Sequence, residues 1–333
     1  MLPPAAGSAN VIVGPELSDD AAVVRLPTED GSEGARLILT TDTIAPLCDG
    51  PEDFGAIAAA NAMSDVWAMG GRPLWALNLV FFPDDQLPLE ILRRIMHGAR
   101  EKCREAGVAI VGGHTVRNGD LKFGLAVTGV LDGKQQRALA NTRALPGQLL
   151  VLSKALGTGV IGTAIKQQAA SALEIEAAVA SMTKLNDRAA ALAREHGATA
   201  CTDVTGFGLL GHLRNLLRGS RLRAQIDLRR LPLLPGALEH LAAGRLPGGS
   251  KANLEFVDPS LARRYSSTDA DAIARTKLAA DAQTSGGLLV ALRAEAAERL
   301  VEDLRASGHP AAIIGELLPA RPVEVGAIEL FAG

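Results

Sequence analysis

The pattern of hydrophobic and polar positions predicts strands and helices mixed through both halves of the chain. Short apolar runs bounded by turn residues predict strands, and longer runs with apolar residues three and four apart predict helices. Strands and helices do not alternate strictly, which favours an α+β fold over a doubly wound sheet. The predicted strands are 11–14, 21–26, 36–41, 74–82, 108–111, 123–131, 149–153, 224–228, 286–292 and 311–318, and the main helices are 53–69, 89–106, 209–217 and 294–307.

Two stretches are less clearly patterned, and a third marks a boundary. Residues 171–196 predict either one long helix or two, and residues 246–276 predict mostly loops. Residues 134–146 have the character of a connector, and a chain of 333 residues is long enough for two domains. We therefore predict domains at residues 1–140 and 141–333.

The helix predicted within residues 51–73 is unusual because nearly every position in it is small or apolar, up to Gly70 and Gly71, which end it. Asn61 and Asp65 are four residues apart and project from one face. Asp65 is the only charge in the body of this helix, and a buried carboxylate needs a partner. The pattern therefore predicts either a buried functional carboxylate or a thin solvent-facing stripe.

Composition narrows the classes of function. The chain is 47% hydrophobic with a formal net charge of −3, which gives no sign of general affinity for nucleic acid or anionic membranes. Aromatic residues make up 3%, too few to predict base-stacking platforms. No apolar run is long enough to predict a membrane span. Three cysteines without a C-x-x-C pair, and a start without a signal-peptide pattern, predict a cytoplasmic protein without a zinc site.

Separately placed aspartates are the strongest candidates for chemistry. Asp19 and Asp20 lie in a loop before a predicted strand, Asp42 ends a strand, and Asp203 precedes a glycine-rich turn. Mg²⁺ prefers a few carboxylates together with water and substrate phosphates, so these residues and Asp65 could hold ions that bridge the phosphates of a nucleotide. Aspartates at strand ends and turns also occur for local reasons, so spacing alone leaves both interpretations open.

Two glycine-rich segments are candidates for phosphate contacts. Residues 112–115 follow a predicted buried strand, and the backbone N–H groups of such a turn, with the Thr115 hydroxyl, could hold phosphate oxygens. A tight turn with His114 bonded to backbone is the alternative. Residues 157–162 match G-x-G-x-x-G between a strand and a helix. A dinucleotide site also needs a later strand with an acidic end, where this sequence has an Ala- and Glu-rich helix, so we predict only a tight turn.

Several motifs occur together in one order along the chain. They are Ser18-Asp-Asp-Ala-Ala-Val, Thr40-Thr-Asp, Asp53-Phe-Gly with Asn61-Ala-Met-Ser-Asp and Ala68-Met-Gly-Gly, Gly112-Gly-His, Thr202-Asp-Val-Thr-Gly-Phe-Gly-Leu-Leu-Gly-His212 and Gln283-Thr-Ser-Gly-Gly-Leu-Leu289. Together they closely resemble the selenophosphate synthetase (selenide, water dikinase) family from about Val11 onwards. The last two motifs separate that family from relatives in the wider aminoimidazole-ribonucleotide-synthetase-like superfamily, such as thiamine-monophosphate kinase and hydrogenase maturation factors.

The resemblance implies a two-domain α+β fold of the aminoimidazole-ribonucleotide-synthetase-like type. Its N-terminal domain binds ATP and Mg²⁺ and forms a homodimer through its sheet, with the ATP sites near the interface. The family makes selenophosphate from ATP, selenide and water, and releases AMP and orthophosphate. Carried over position by position, the resemblance implies nucleotide contacts at Leu17, Ser18, Asp19, Asp42, Asp65, Gly113, His114 and Thr115, and Mg²⁺ ligands at Asp20, Asp65 and Asp203.

One part of the family pattern has no match in this sequence. The family has a mobile glycine-rich loop ahead of the first strand, with a Cys or selenocysteine and then a Lys that acts on the phosphates. This sequence has no Cys before Cys48 and no Lys before Lys122, so no catalytic residue is assigned and both groups are expected upstream of Met1. We hypothesise that an in-frame UGA codon, followed closely by a Lys codon, precedes Met1. Unrelated DNA upstream would contradict this.

Three interpretations of function follow. The first is a selenophosphate synthetase without its catalytic loop. The polypeptide of residues 1–333 should then bind Mg–ATP weakly and make little or no selenophosphate. The second is a paralogue without the loop that serves as a nucleotide-binding or regulatory partner subunit. The third is an ATP-using superfamily member with another substrate, against which the motifs at residues 202–212 and 283–289 argue.

Overall fold

The chain folds into two compact units, described over residues 9–29, 34–132 and 137–333 of the computed structural model. Unit 1 comprises Met1–Ala138 and Met182–Asp187, and unit 2 comprises Leu139–Ser181 and Arg188–Gly333. No helix among the described residues combines the length and the apolar character that crossing a membrane requires.

Unit 1 is a mixed sheet with two helices packed against it. The strand order is β1-β2-β3-β6-β4-β5 among the described residues, and every pair is antiparallel except β4 with β5. Helix α1 packs on β3 and β6 and against α2. The elements are β1 (Val11–Val13), β2 (Ala22–Arg25), β3 (Arg36–Ile44), α1 (Pro51–Ala68), β4 (Arg72–Phe82), α2 (Leu89–Glu105), β5 (Ala109–Arg117) and β6 (Lys122–Val130).

Alternation along β4 decides which face of the sheet the helices cover. Ala76, Val80 and Phe82 are buried, whereas Trp75 and Leu77 on the other face are nearly half exposed. Successive side chains of a strand point to opposite faces, so the apolar residues at even positions form the core beneath the helices. The odd positions leave a second apolar face exposed.

Glycines let α1 and α2 approach each other closely. A Cβ atom added to Gly55 would lie 1.9 Å from the carbonyl oxygen of Ile95, and one added to Gly98 would lie 2.0 Å from that of Glu52. Only residues without a side chain fit where two helix backbones come this near. The many alanines of α1, several of them fully buried, extend the same close packing over the sheet.

Unit 2 is a second mixed sheet in the order β10-β13-β9-β12-β7-β11-β8 among the described residues. Strand β13 is parallel to β10 and β9, and the remaining pairs are antiparallel. Its core is rich in leucines from β7, β11 and the helix Gly208–Ser220. The strands are β7 (Leu149–Leu152), β8 (Ala200–Asp203), β9 (Leu222–Asp227), β10 (Leu261–Arg263), β11 (Leu288–Leu292), β12 (Ala312–Pro319) and β13 (Ile328–Phe331).

The helices of this half of the chain are short and begin at varied caps. In α9, for example, the side chain of Asp269 accepts a hydrogen bond from the N–H of Ala272. The helices are α3 (Thr158–Lys166), α4 (Ala172–Thr183), α5 (Asp187–Glu195), α6 (Gly208–Ser220), α7 (Ala237–Ala242), α8 (Gly248–Val257), α9 (Ala270–Ala279) and α10 (Ala294–Ala306).

The α+β architecture predicted from the sequence is confirmed, but two local predictions are wrong. The stretch 246–276, predicted as mostly loops, contains α8 and most of α9. Strand β5 does not end before residues 112–115 but runs through them to Arg117, and it is exposed rather than buried. Pairing with β4 holds those glycines in an extended conformation that their local propensity does not favour.

We expect Gly98→Ala to lower the free energy of unfolding by about 1–3 kcal/mol, because the added methyl group overlaps the backbone of Glu52. The effect is the opposite of the small gain that Ala normally brings to a helix interior. Urea unfolding followed by circular dichroism measures it. Gly119→Ala is the matched control, since no atom lies within 4 Å of an added Cβ there. Equal stabilities of the two variants would contradict the close approach.

Candidate functional site

Four polar side chains meet where α1 packs on β3. The hydroxyl of Thr40 donates to Asp65 Oδ2 over 2.5 Å, and the amide of Asn61 donates to Asp42 Oδ2. Thr40 and Asp42 are two apart on a strand and share a face, and Asn61 and Asp65 are one turn apart on a helix. The periodicities of the strand and the helix therefore bring the Thr40 hydroxyl to the Asp65 carboxylate and the Asn61 amide to the Asp42 carboxylate.

Both carboxylates are partly enclosed, and Asn61 is 3% exposed. Burial raises the pKa of Asp42 above its ordinary value, and hydrogen bonds from the Asn61 side chain and the Thr43 backbone oppose that rise. Asp65 is half-buried. This exposure is intermediate between the two possibilities that the sequence left open, a buried carboxylate and a solvent-facing stripe. The cluster is made of hard oxygen ligands and amide groups, the chemistry that Mg²⁺ and nucleotide hydroxyls select.

The turn between β1 and β2 holds the next set of predicted contacts. Residues Pro15–Leu17 form a single 3₁₀ turn, which Ser18 ends in the left-handed region at φ 53°. Asp19 and Asp20 follow it, both half-buried. The side chain of Leu17 lies outside the described part of the structure. A left-handed Ser at a sharp turn is uncommon and marks a position whose backbone is held by its surroundings.

Gly113, His114 and Thr115 are exposed and lie on β5, which is at one edge of the unit 1 sheet as far as the structure describes it. His114 is level with Leu79 on β4, Gly124 on β6 and Thr43 on β3. Three strand spacings separate His114 from Thr43, about 14 Å. Unit 1 therefore does not bring this set into contact with the cluster around Asp42.

Asp203 lies in unit 2, at the end of β8, and is 1% exposed. Its strand pairs with β11, where it lies opposite Leu288. The residues after it are held by the segment 283–287: the N–H of Val204 donates to the Gly287 carbonyl over 2.9 Å, and the Gln283 N–H donates to the Thr205 carbonyl over 3.0 Å. The two motifs that single out the family resemblance are thus one structural assembly.

The glycine-rich turn at residues 157–162 is closed by protein side chains. Gln283 Oε1 accepts the N–H groups of Gly157 and Thr158, and Asp281 Oδ2 accepts those of Gly159 and Val160, at 3.0–3.2 Å. The start of a helix attracts anions through its free N–H groups. Here a carboxylate and an amide of the chain already occupy them, as expected for a tight turn.

Sequence reasoning missed three contributors to these sites. Thr40 was part of a motif, but only the packing of α1 on β3 shows that it bonds Asp65. Gln283 and His212 also belong to motifs, but the sequence assigns them no role. Gln283 contacts Thr205, and His212 contacts Thr202 and Thr205 on either side of Asp203. A period-2 reading of Thr40 and Asp42 could have paired them on one face; the contacts of Gln283 and His212 are long-range or depend on a loop and carry no local signal.

Comparisons of sequence agree with the motif resemblance. The family model "AIR synthase related protein, N-terminal domain" matches residues 18–131, and "AIR synthase related protein, C-terminal domain" matches residues 146–327. A protein named selenide, water dikinase from Geobacter metallireducens is 45% identical over 312 residues, which cover 94% of this chain and 88% of the relative. One of that name from Myxococcus xanthus is 44% identical over 314 residues, covering 93% and 86%.

Solved structures share the fold. Thiamine monophosphate kinase from Aquifex aeolicus is 18% identical with a TM-score of 0.64, covering 93% of this chain and 90% of that one. Hydrogenase maturation protein HypE in complex with ATP is 20% identical with a TM-score of 0.64, covering 95% and 86%. At these identities the likeness concerns the fold alone.

The buried carboxyl group of Asp281 makes the stability of the fold depend on pH. Burial raises the pKa of Asp281 to about 6, against hydrogen bonds from Ser250, Val160, Gln283 and Gly159 that lower it. Since the pKa is higher in the folded chain than its ordinary 3.8, this group stabilises the fold fully below about pH 4, and that stabilisation is lost as the pH rises through about 6. The rise of the pKa from 3.8 to about 6 corresponds to about 3 kcal/mol in the free energy of unfolding.

We expect Asp281→Asn to remove this part of the pH dependence, because the amide has no proton to lose in that range. Urea unfolding across that pH range, with wild type and variant side by side, measures it. Asp132→Asn, at a half-exposed carboxylate paired with Arg72, should keep the wild-type slope. Parallel curves for wild type and Asp281→Asn would contradict the burial argument.

Proposed function

The chain belongs to the selenide, water dikinase family, and we propose that it serves ATP-dependent synthesis of selenophosphate from selenide and water, with release of AMP and orthophosphate. The hydrogen-bonded cluster of Asp42, Asn61, Asp65 and Thr40 supports this most directly, since it places two carboxylates beside neutral donors on a rigid helix and strand. The free cysteines Cys48, Cys103 and Cys201 support a reducing location, which we propose is the cytoplasm.

We propose that Asp20, Asp65 and Asp203 bind Mg²⁺ and that Leu17, Ser18, Asp19, Asp42, Asp65, Gly113, His114 and Thr115 contact the nucleotide. The ligands are all carboxylates, the set that Mg²⁺ takes when phosphates and water complete its coordination. Bound Mg²⁺ neutralises phosphate charge and favours in-line displacement.

The contribution of the chain itself is positioning. The Thr40 hydroxyl occupies one side of Asp65 Oδ2 and fixes its rotamer, and Asn61 does the same for Asp42. Both contacts join β3 to the buried helix α1, which cannot move without disturbing the sheet, so the carboxylates are held before a ligand arrives. Preorganisation of this kind reduces the cost of assembling a charged site.

We further propose that the chain forms a homodimer through the sheet of unit 1. Two features support it: among the described residues β5 lies at one edge of the sheet and is largely exposed, and the face with Leu39, Trp75 and Leu77 is exposed and apolar. Exposed edge strands and contiguous apolar faces favour pairing with another chain. A partner's β5 could supply the nucleotide contacts that the single unit 1 keeps about 14 Å from the Asp42 cluster.

The nucleotide and metal site is tested by Asp65→Asn. The amide oxygen can still accept the Thr40 hydroxyl, so stability should change little, whereas the loss of charge should weaken Mg²⁺-dependent ATP binding about 10-fold or more. Titration calorimetry with ATP at several Mg²⁺ concentrations, beside thermal unfolding, measures both. Asp132→Asn is the matched surface control. Equal loss of binding and stability would return Asp65 to a structural role.

The reaction is tested by ³¹P NMR with ATP, Mg²⁺ and selenide. The arms are the chain of 333 residues and the same chain extended by the in-frame codons that precede Met1. Selenophosphate, AMP and orthophosphate should form in equal amounts, and only when selenide is present, in an arm whose chain carries the Cys or selenocysteine and the Lys of the family loop. ATP turnover indifferent to selenide in both arms would refute the proposed function.

The dimer is tested by Leu77→Glu. Leu77 is 44% exposed in the single chain, so a charge there should leave the fold intact but disrupt an apolar interface. Sedimentation velocity should show a dimer for wild type and a monomer for the variant. Leu173→Glu, at a position 77% exposed on α4, should remain dimeric. Dimers for both variants would place the interface elsewhere.

A further inference from the structure

His212 links the residues on both sides of Asp203. It lies in the first turns of α6, and because side chains in a helix tilt toward its N-terminus, the ring points back at the loop before the helix. Its Nδ1 is 3.3 Å from Thr202 Oγ1, and its Nε2 is 3.2 Å from both the backbone nitrogen and the hydroxyl of Thr205. A ring nitrogen and a carboxylate oxygen of Asp203 lie within 4.8 Å.

The partners of the ring define its tautomer. The Thr205 N–H can only donate, so Nε2 is the unprotonated nitrogen and accepts. The ring proton is then on Nδ1 and is donated to the Thr202 hydroxyl, which in turn donates to the Asp203 carbonyl over 3.3 Å. One directed chain of hydrogen bonds therefore runs from the ring to the backbone of Asp203.

Burial supports a neutral ring. His212 is 9% exposed, and burial lowers its pKa to about 4, so the imidazole is uncharged near neutral pH. The ring of Phe207 covers it, with the centroids 5.8 Å apart. A neutral ring with one donor and one acceptor matches the two threonines, whereas a charged ring would turn two N–H groups toward them and lose the acceptor for Thr205.

We propose that His212 is a positioning residue that fixes the carboxylate of Asp203 for Mg²⁺, by holding Thr202 and Thr205 in place as the neutral Nδ1–H tautomer. This rests on the proposed function, in which Asp203 binds Mg²⁺. Both ring nitrogens are engaged by threonines, so the imidazole has no lone pair left with which to bind a metal. Residues 283–287 hold the same loop through its backbone, and His212 provides the fixation on the helix side.

The test combines a metal titration with NMR. His212→Leu keeps the apolar volume but removes both hydrogen bonds, and should raise the Mg²⁺ concentration for half-maximal ATP binding about 10-fold. His212→Gln can again supply an acceptor to Thr205 and should recover much of this. The control is His240→Leu: His240 is also buried in unit 2 and bonds Glu174, so the variant should lose similar thermal stability but keep the wild-type Mg²⁺ requirement.

The tautomer is read independently of binding. In protein with ¹⁵N-labelled histidine, the resonance that disappears in His212→Leu should show a protonated Nδ1 and an unprotonated Nε2. A protonated Nε2 would overturn the inference. So would an unchanged Mg²⁺ requirement in His212→Leu while Asp203→Asn is impaired. A wild-type requirement in Asp203→Asn would instead overturn the metal role of Asp203 in the proposed function.

Discussion

Enclosed carboxylates must be solvated by the protein itself, and both units are arranged around that requirement. Asp65 accepts the Thr40 hydroxyl and Asp42 accepts the Asn61 amide, while Asp281 accepts two backbone N–H groups and the side chains of Ser250 and Gln283. Each donor is neutral. A neutral donor offsets part of the desolvation cost but leaves a negative charge in place, and a site of that kind retains attraction for a cation or for hydrogen-bond donors of a ligand.

This requirement explains the composition of α1. A helix that carries Asn61 and Asp65 toward a sheet must come close enough for short side chains to meet, and small residues on its remaining faces allow that approach. Gly55 on α1 and Gly98 on α2 likewise allow the two helix backbones to come close to each other. The apolar packing and the polar cluster therefore depend on each other, since a larger residue at the crossing would move the carboxylates as well as the core.

The sequence predicted the parts of this arrangement that are local. The helical spacing of Asn61 and Asp65 places them on one face, and the glycines after α1 end it within a residue of the predicted limit. The partner of Asp65 could not be predicted, because it depends on which strand lies beneath the helix. The extended course of β5 through Gly112 and Gly113 depends in the same way on pairing with β4, a contact with a strand far away in the chain.

The glycine-rich turn before α3 shows why a motif needs its surroundings. Four N–H groups at a helix start are the feature that makes such a segment attract phosphate, and the spacing at residues 157–162 would provide them. Asp281 and Gln283 occupy those groups, and Gln283 also donates its backbone N–H to Thr205. The N-terminus of α3 thus binds side chains of the protein itself and, through Gln283, helps to hold the loop that follows Asp203. The same dipole that would hold a ligand in another fold stabilises a buried carboxylate here.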